Sequence, residues 1–367
     1  MPLFIFLLIL VALVVVHELG HFFAAKLFGI KVEEFGVFFP PRIKAWRFGE
    51  TEYSLNSLPF GGFVRIFGEE AVEGETPLLP QEARKSFAHR SRTVQAVVLA
   101  AGIVCNLLFA WLVLSVGYMV GLPTSVEHKG FGTVHNAQVM IVSVFPGSPA
   151  QSVGIKPGDV VLAAQTATAS LAPSANAATL QQFIADHPEQ SIVLSVLREK
   201  TQENFVARPT DGLVVGRKAI GIELDDVGVL KLSPPVAFLQ GALTFWEMTR
   251  ATAVGLATFF ATLLRGTANL SQVSGPIGIA GIGASAVRAG FAAVVVITAL
   301  ISINLGLLNV LPIPGLDGGR LFITAIEAVR RRALPKRLVT ALTLAGFALL
   351  VLLMLVVSYH DIANLRS

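Results

Sequence analysis

Long apolar runs alternate with polar stretches along the chain. Four of these runs exceed 20 residues and cover residues 3–28, 94–122, 291–313 and 338–358. At about 1.5 Å per residue, a helix of that length crosses a hydrocarbon core of about 30 Å. The pattern therefore predicts an α-helical integral membrane protein with four transmembrane helices.

Shorter apolar segments follow the second run and have other periods. VMIVSVF and SIVLSVLRE alternate as strands do, and TLQQFIADH between them has the period of a helix. We therefore predict a small α/β domain at residues 124–208, inserted after a first membrane part, 1–122. A linker, 209–290, then leads to a second membrane part, 291–367.

A further β element is predicted in the polar loop after the first run. TEYSLNSL and PFGGFVRIFGEE have the composition of two short strands around a turn at Pro59 to Gly62. They predict a membrane-associated β-hairpin at about 51–67. It is either purely structural, or its edge pairs with an unwound peptide segment by strand addition.

Composition agrees with this pattern and sets the orientation. Hydrophobic residues make up 53% of the chain and charged residues 14%, and the mean hydropathy is +0.69. The loop 30–92 is basic, so the positive-inside rule places it in the cytoplasm and the N-terminus outside. Its basic residues are Lys31, Arg42, Lys44, Arg47, Arg65, Arg84, Lys85, Arg90 and Arg92. Topology thus accounts for the excess of Lys and Arg, and no nucleic-acid partner is expected.

One more apolar stretch, 236–264, carries Glu247 and Arg250 in its middle. If this stretch crossed the membrane, the next span would run outward and carry its polar end away from the polar residues of the first span. We therefore predict an amphipathic helix that lies on the outer leaflet or dips into it.

The first span is interrupted by His17, Glu18 and His21. Their spacing places both imidazoles on one helix face, where they can hold one Zn²⁺, with Glu18 close enough to accept a proton from a bound water. Ionisable groups inside a span cost about 2.5 to 3.5 kcal/mol each, so three of them require a compensating role. The alternative is a histidine pair that bonds to a neighbouring helix.

The third span ends in LPIPGLDGGR, where prolines and glycines break the helix at membrane depth. Asp317 is the only carboxylate between Arg288 and Arg320. Parity of the spans places it at the level of the two histidines, which makes it the natural third ligand. Its competing role is to cap the following helix.

The second span carries Gly102 and Asn106 on one face, four residues apart. A small residue lets helices approach closely, and an intramembrane asparagine usually bonds across a helix interface. Packing is therefore the first expectation for Asn106, and proximity to a metal site would favour a functional role instead.

These motifs together resemble the site-2-protease family of intramembrane metalloproteases, in particular its RseP-like bacterial branch. The matching segments are HELGH, the G-x-x-x-N pair, SGPIGIA and NVLPIPGLDGG, and GSPAQSVGIKPGDVV resembles a PDZ domain of the bacterial type. The resemblance implies a zinc metalloendopeptidase in which His17, His21 and Asp317 bind the metal and Glu18 is the general base. The chain departs from the family pattern in two ways. It has room for one PDZ domain where relatives often carry two in tandem, and it has Ile103 where many relatives have proline.

The resemblance also implies the remaining roles and the setting. Asn309 would position the substrate carbonyl, and Asn106 is the second candidate for substrate binding. The implied partners are the lipid bilayer and single-span substrates, such as anti-sigma factors or signal-peptide remnants, cut in regulated intramembrane proteolysis. The implied place is the bacterial inner membrane, with the active site toward the cytoplasm. The PDZ domain would lie outside and either bind a peptide terminus or only exclude bulky proteins.

Two readings from other classes stay open. A catalytically silent scaffold that presents a PDZ domain would not need Glu18, Asp317 and both histidines together. A zinc transporter would be expected to show repeated halves with paired broken helices, and the sequence indicates one broken helix.

Overall fold

The computed structural model describes residues 1–69, 79–171, 176–198, 201–214, 216–267 and 275–364. In chain order the elements are α1 (Pro2–Leu27), β1 (Val32–Phe48), β2 (Thr51–Ile66), α2 (Pro80–Ala83), a 3₁₀ turn (Phe87–His89), α3 (Arg92–Val120), β3 (Leu122–Ser125), β4 (His135–Val144), α4 (Pro149–Ser152), β5 (Val160–Gln165), β6 (Ser170–Leu171), α5 (Ala177–Asp186), β7 (Ile192–Arg198), β8 (Thr201–Ala207), β9 (Thr210–Val214), β10 (Arg217–Ala219), β11 (Ile222–Leu230), α6 (Pro234–Leu264), α7 (Pro276–Ala289), α8 (Phe291–Val310), α9 (Asp317–Arg330) and α10 (Lys336–Asn364). They form two compact units, one of Met1–Leu114 with Gly241–Ser367 and one of Ser115–Gln240.

Four helices in the described part of the chain are long and apolar enough to cross a membrane. They are Pro2–Leu27, Arg92–Val120, Phe291–Val310 and Arg337–Tyr359. They coincide with the four predicted spans to within a few residues, so the chain is a helical membrane protein. The helix predicted at 236–264 is present as α6, with both Glu247 and Arg250 exposed, and its place at the membrane surface stays a prediction.

The β element is larger than predicted, and its two predicted strands do not pair directly with each other. β1 and β2 pair antiparallel, and the chain turns at Gly49, whose φ of +62° suits a glycine. The start of β1, Glu34 to Val37, lies between Glu52–Leu55 and Gly62–Arg65, and these two segments run past it in opposite directions. The chain therefore reverses between Leu55 and Gly62, where the turn was predicted, but the start of β1 is inserted between the two predicted strands.

Helix α7 lies at the end of 209–290, the segment predicted as a linker. A Cβ at Gly283 would lie 2.1 Å from the Phe6 ring, so this glycine lets α7 approach α1 closely. The α7 N-terminus is capped from α10: the Asp361 carboxylate accepts from the backbone N–H groups of Gly275 at 3.1 Å and Gly278 at 2.9 Å.

The second unit is a seven-stranded sheet in the order β3-β11-β4-β5-β7-β8, with β6 beside β5. Its core includes the fully buried Ile141, Leu180 and Leu194. Because β11 pairs with β4 in the middle of this sheet, the domain extends beyond the predicted boundary at 208, and residues 210–230 do not belong to a linker.

The turn in GIKPGD of this unit is held by a buried carboxylate. Asp159 pairs with Arg198 at 2.6 Å and accepts from the backbone N–H of Lys156 at 2.9 Å.

This unit also has a cleft. It is lined by α5, through Ile184, and by residues 218–222 and Leu224. The start of β11, through Ile222 and Leu224, forms the strand side of this cleft.

Candidate active site

Helix α1 presents the three polar residues of its motif in one turn. His17 and His21 lie on the same face, and their Nε2 atoms are 3.2 Å apart. His21 is buried and His17 nearly so. The predicted spacing is therefore realised in a regular helix of the first membrane span.

Asp317 is brought to this pair from the other end of the chain. Its Oδ2 lies 2.9 Å from His17 Nε2 and 3.3 Å from His21 Nε2. The same oxygen is buried and, among the described residues, is not aligned for a hydrogen bond. Asp317 is the first residue of α9 and its side chain does not cap that helix, for which Leu316 is the N-cap residue.

This donor set fits a zinc ion. Two imidazole nitrogens and one carboxylate oxygen converge, and the structure brings all three within 4.8 Å of one another. A tetrahedral Zn²⁺ with bonds of about 2.0–2.1 Å separates its ligands by about 3.3 Å, close to the separations observed here. Three protein ligands leave one position free, the arrangement of catalytic zinc sites.

Helix α3 forms the wall behind the histidines. A Cβ at Gly20 would lie 2.4 Å from the backbone oxygen of Ala101, so α1 and α3 touch backbone to backbone. A Cβ at Gly102 would lie 2.4 Å from His21 Nε2 and 2.8 Å from His17 Cε1. Only glycine at position 102 leaves room for both imidazoles.

The same helix contacts the outer nitrogen of each imidazole. His21 Nδ1 donates to the backbone oxygen of Val98 at 2.8 Å. This bond fixes the proton on Nδ1 and leaves Nε2 free to bind a metal. Asn106, which is fully buried, lies with Nδ2 3.3 Å from His17 Nδ1. The sequence left open whether Asn106 packs helices together or has a functional role, and the structure places it beside His17, a candidate ligand.

Strand β2 approaches the site from the other side. A Cβ at Gly62 of this strand would lie 4.0 Å from Glu18 Cγ and 3.5 Å from Val15 Cγ2, so β2 packs beside the predicted base. Phe22 of α1 packs its ring against Phe35 and Tyr53 of the hairpin, with centroids 5.4 and 6.2 Å apart. The hairpin therefore packs against the turn of α1 that carries the predicted base, a contact that the sequence did not indicate.

The helix break that carries Asp317 is held by close backbone packing. α8 ends at Val310 and α9 begins at Asp317, with prolines at two of the intervening positions. A Cβ at Gly318 would lie 2.3 Å from the Leu311 backbone oxygen, and one at Gly346 of α10 would lie 1.8 Å from that of Pro314. The glycines let the chain fold back on itself and let α10 cross the break.

Two ion pairs anchor α9. Arg320, one turn after Asp317, pairs with the Glu69 carboxylate and donates to its backbone oxygen at 3.2 Å. Glu327, which is buried, pairs with Arg92 at the start of α3 at 2.9 Å. Both pairs join segments far apart in sequence, and no pattern in the sequence pointed to them.

Asn309 lies in the last turn of α8 and is half-buried. Among the described residues it makes no hydrogen bond to His17, His21 or Asp317. Its predicted contact is with a substrate, and it stays a prediction.

The chain is similar in sequence to known metalloproteases over nearly its whole length. The model of peptidase family M50 matches residues 5–353. A putative zinc metalloprotease of Clostridium perfringens is 32% identical over 358 residues, which are 96% of this chain and 95% of that protein. One of Nostoc is 34% identical over 351 residues, 93% and 90% of the two chains. A probable membrane metalloprotease of Arabidopsis thaliana, named as chloroplastic, is 31% identical over 364 residues, 97% and 79% of the two chains.

Proposed function

The chain belongs to peptidase family M50, and from that premise we propose that it is an intramembrane zinc metalloendopeptidase acting on single-span membrane proteins. The observation that carries the proposal is the convergence of His17, His21 and Asp317 beside Glu18 within apolar helices. The matches to metalloproteases favour an enzyme over the scaffold and transporter readings.

The chemistry follows from the donors and the base. His17, His21 and Asp317 would hold Zn²⁺, which when bound lowers the pKa of a water to about 7 and polarises a peptide carbonyl. Glu18 accepts a proton from the attacking water and returns it to the leaving amine. Gly62 of β2 packs beside the Glu18 side chain and limits its movement.

The position of the site within apolar helices supports the proposed substrate class. The ligands lie in the second half of a 26-residue apolar helix and at a helix break. A peptide bond inside a substrate helix is shielded by its own hydrogen bonds, so the substrate must unwind locally. The edge of the hairpin and Asn309 would bind the unwound segment. Anti-sigma factors and signal-peptide remnants are the substrate types that fit, and their cleavage would be regulated intramembrane proteolysis.

The test compares wild type with Glu18→Gln on a panel of single-span reporters in detergent, with zinc content determined in parallel. Wild type is expected to cut within the span, and the zinc-loaded variant is expected to lose cleavage. Glu247→Gln, on the exposed face of α6, serves as a matched control and should retain cleavage. Equal cleavage by wild type and Glu18→Gln, or a wild type that binds no zinc, would overturn the proposal.

For the second unit, the proposed role is that of a PDZ domain outside the cytoplasm of a bacterial inner-membrane protein. Its cleft between α5 and β11 has an apolar lining from Ile184, Ile220 and Ile222 and also includes Lys218, which pairs with Glu189 at 2.6 Å. An apolar cleft with a cation in its lining suits a peptide C-terminus, which would add as a strand. Peptides with a free carboxylate should bind the full chain more tightly than their amides. Equal binding would leave only the size-filter role.

Orientation is tested by labelling single cysteines in a Cys105→Ala background. A cysteine at Gln181 should react with an impermeant reagent added outside intact cells. One at Lys44 should react only after the cells are opened. The reverse pattern would contradict the predicted topology.

A further inference from the structure

The fully buried Asn106 side chain contacts His17 but leaves half of its hydrogen-bonding capacity unused. Its Nδ2 lies 3.3 Å from His17 Nδ1, while its Oδ1 is buried and, among the described residues, has no hydrogen-bond partner. An unsatisfied buried carbonyl of this kind costs about 1–3 kcal/mol, so its retention inside a span calls for a reason.

The tautomer of His17 supplies the reason. A neutral imidazole that binds a metal through Nε2 carries its proton on Nδ1, which must then donate a hydrogen bond. For His21 the acceptor is the backbone oxygen of Val98. For His17 the group in reach is the Asn106 amide. Half a turn of that amide about its last side-chain bond leaves its shape unchanged and places Oδ1 where Nδ2 lies.

We propose that Asn106 is a positioning residue for the metal site: its carbonyl oxygen accepts the Nδ1 proton of His17 and holds His17 in the tautomer and orientation that bind zinc. The inference rests on the proposed function, because it assigns a role toward the zinc ligand. It differs from both earlier expectations for Asn106, which were helix packing and direct substrate binding.

The surroundings of Asn106 fix its position for this role. Its backbone oxygen accepts from the Ser302 hydroxyl of α8 at 2.8 Å, which holds this turn of α3 against α8. One turn earlier, Gly102 is in close contact with both imidazoles. Val98 and Asn106 thus lie on either side of Gly102, and each supports one histidine.

The experiment measures zinc affinity of the detergent-solubilised full chain by competition with a chelator. Loss of an acceptor behind a histidine ligand typically weakens metal binding about 10- to 100-fold. Asn106→Leu, which is similar in size and has no acceptor, should show a loss in that range. Asn106→Asp, which has acceptors only, should retain affinity within a few-fold. The matched control is Asn304→Leu, because Asn304 is also intramembrane but donates to the backbone of its own helix at Leu300.

Three further readouts separate the explanations. The serine side chain of Asn106→Ser is small enough for the protein to fold whether Asn106 positions His17 or only packs. It is too short to reach His17, so this variant should behave like Asn106→Leu. The visible absorption of the cobalt-substituted Leu variant should change, and thermal unfolding without metal should stay near that of the wild type. Unchanged zinc affinity in Asn106→Leu and Asn106→Ser overturns the inference, as does an equal loss in Asn106→Asp. A wild type without zinc would instead defeat the proposed function itself.

Discussion

Replacing Gly102 by alanine should disrupt the metal site through a single methyl group. The added Cβ would lie 2.4 Å from His21 Nε2, and 2.8 and 2.9 Å from His17 Cε1 and Nε2. Ordinary contact between non-bonded atoms begins near 3.5 Å, so the imidazoles must withdraw by about 1 Å.

The histidines have little freedom to withdraw. His21 is held at Nδ1 by Val98, and His17 contacts Asn106. Separating the helices instead would break the backbone contact at Gly20, where a Cβ would lie 2.4 Å from Ala101. Overpacking of this kind costs about 1–3 kcal/mol of stability. A displacement of about 1 Å at reacting groups can cost about 100-fold in rate.

We therefore expect Gly102→Ala to bind zinc at least about 10-fold more weakly and to cleave reporters about 100-fold more slowly. Zinc affinity is measured by chelator competition, and cleavage by gel assay at saturating zinc. Gly255→Ala in α6 is the control, because a Cβ there meets nothing within 4 Å. Wild-type affinity and cleavage in Gly102→Ala would refute the reasoning.

Three other substitutions separate the parts of the molecule. Asp317→Asn should lose most of its zinc, measured by metal analysis, with unchanged helical circular dichroism, because the amide is a poor ligand of the same shape; full zinc occupancy would contradict the ligand assignment. Arg320→Glu should lower cleavage several-fold by freeing α9 from the segment that follows β2, and adding Glu69→Arg should restore part of it; a double variant no better than the single one would contradict this coupling. Leu194→Ala, fully buried in the second unit, should destabilise that unit by about 2–5 kcal/mol in thermal unfolding without changing zinc affinity; a parallel loss of zinc would contradict the separation.

The features that could be predicted from the sequence depend on neighbouring residues or on the length of an apolar segment. The two histidines are one helical turn apart, so their meeting needs only a helix, which the apolar run from Pro2 to Leu27 guarantees. Asp317 was identifiable because it is the only carboxylate in a break between two apolar stretches. Its role as a ligand stays a prediction, with geometry that fits it.

What the sequence did not reveal depends on contacts between distant segments. β1 was missed because Pro40 and Pro41 interrupt its alternation. β11 was assigned to a linker because its partner, β4, precedes it by about 80 residues along the chain. The packing of Gly62 beside Glu18 has no signature in the sequence, because it depends on how β2 lies against α1.

The distance along the chain between the predicted ligands has a consequence for the protein during its translation and membrane insertion. His21 is made early, and Asp317 follows roughly 300 residues later, which at about 5–20 residues per second is about 15 to 60 s of synthesis. During that time the first two spans can already lie in the bilayer among other newly inserted helices. With Asp317 as the predicted third ligand, we expect the peptidase to have no complete metal site, and so no activity, until translation has passed Asp317.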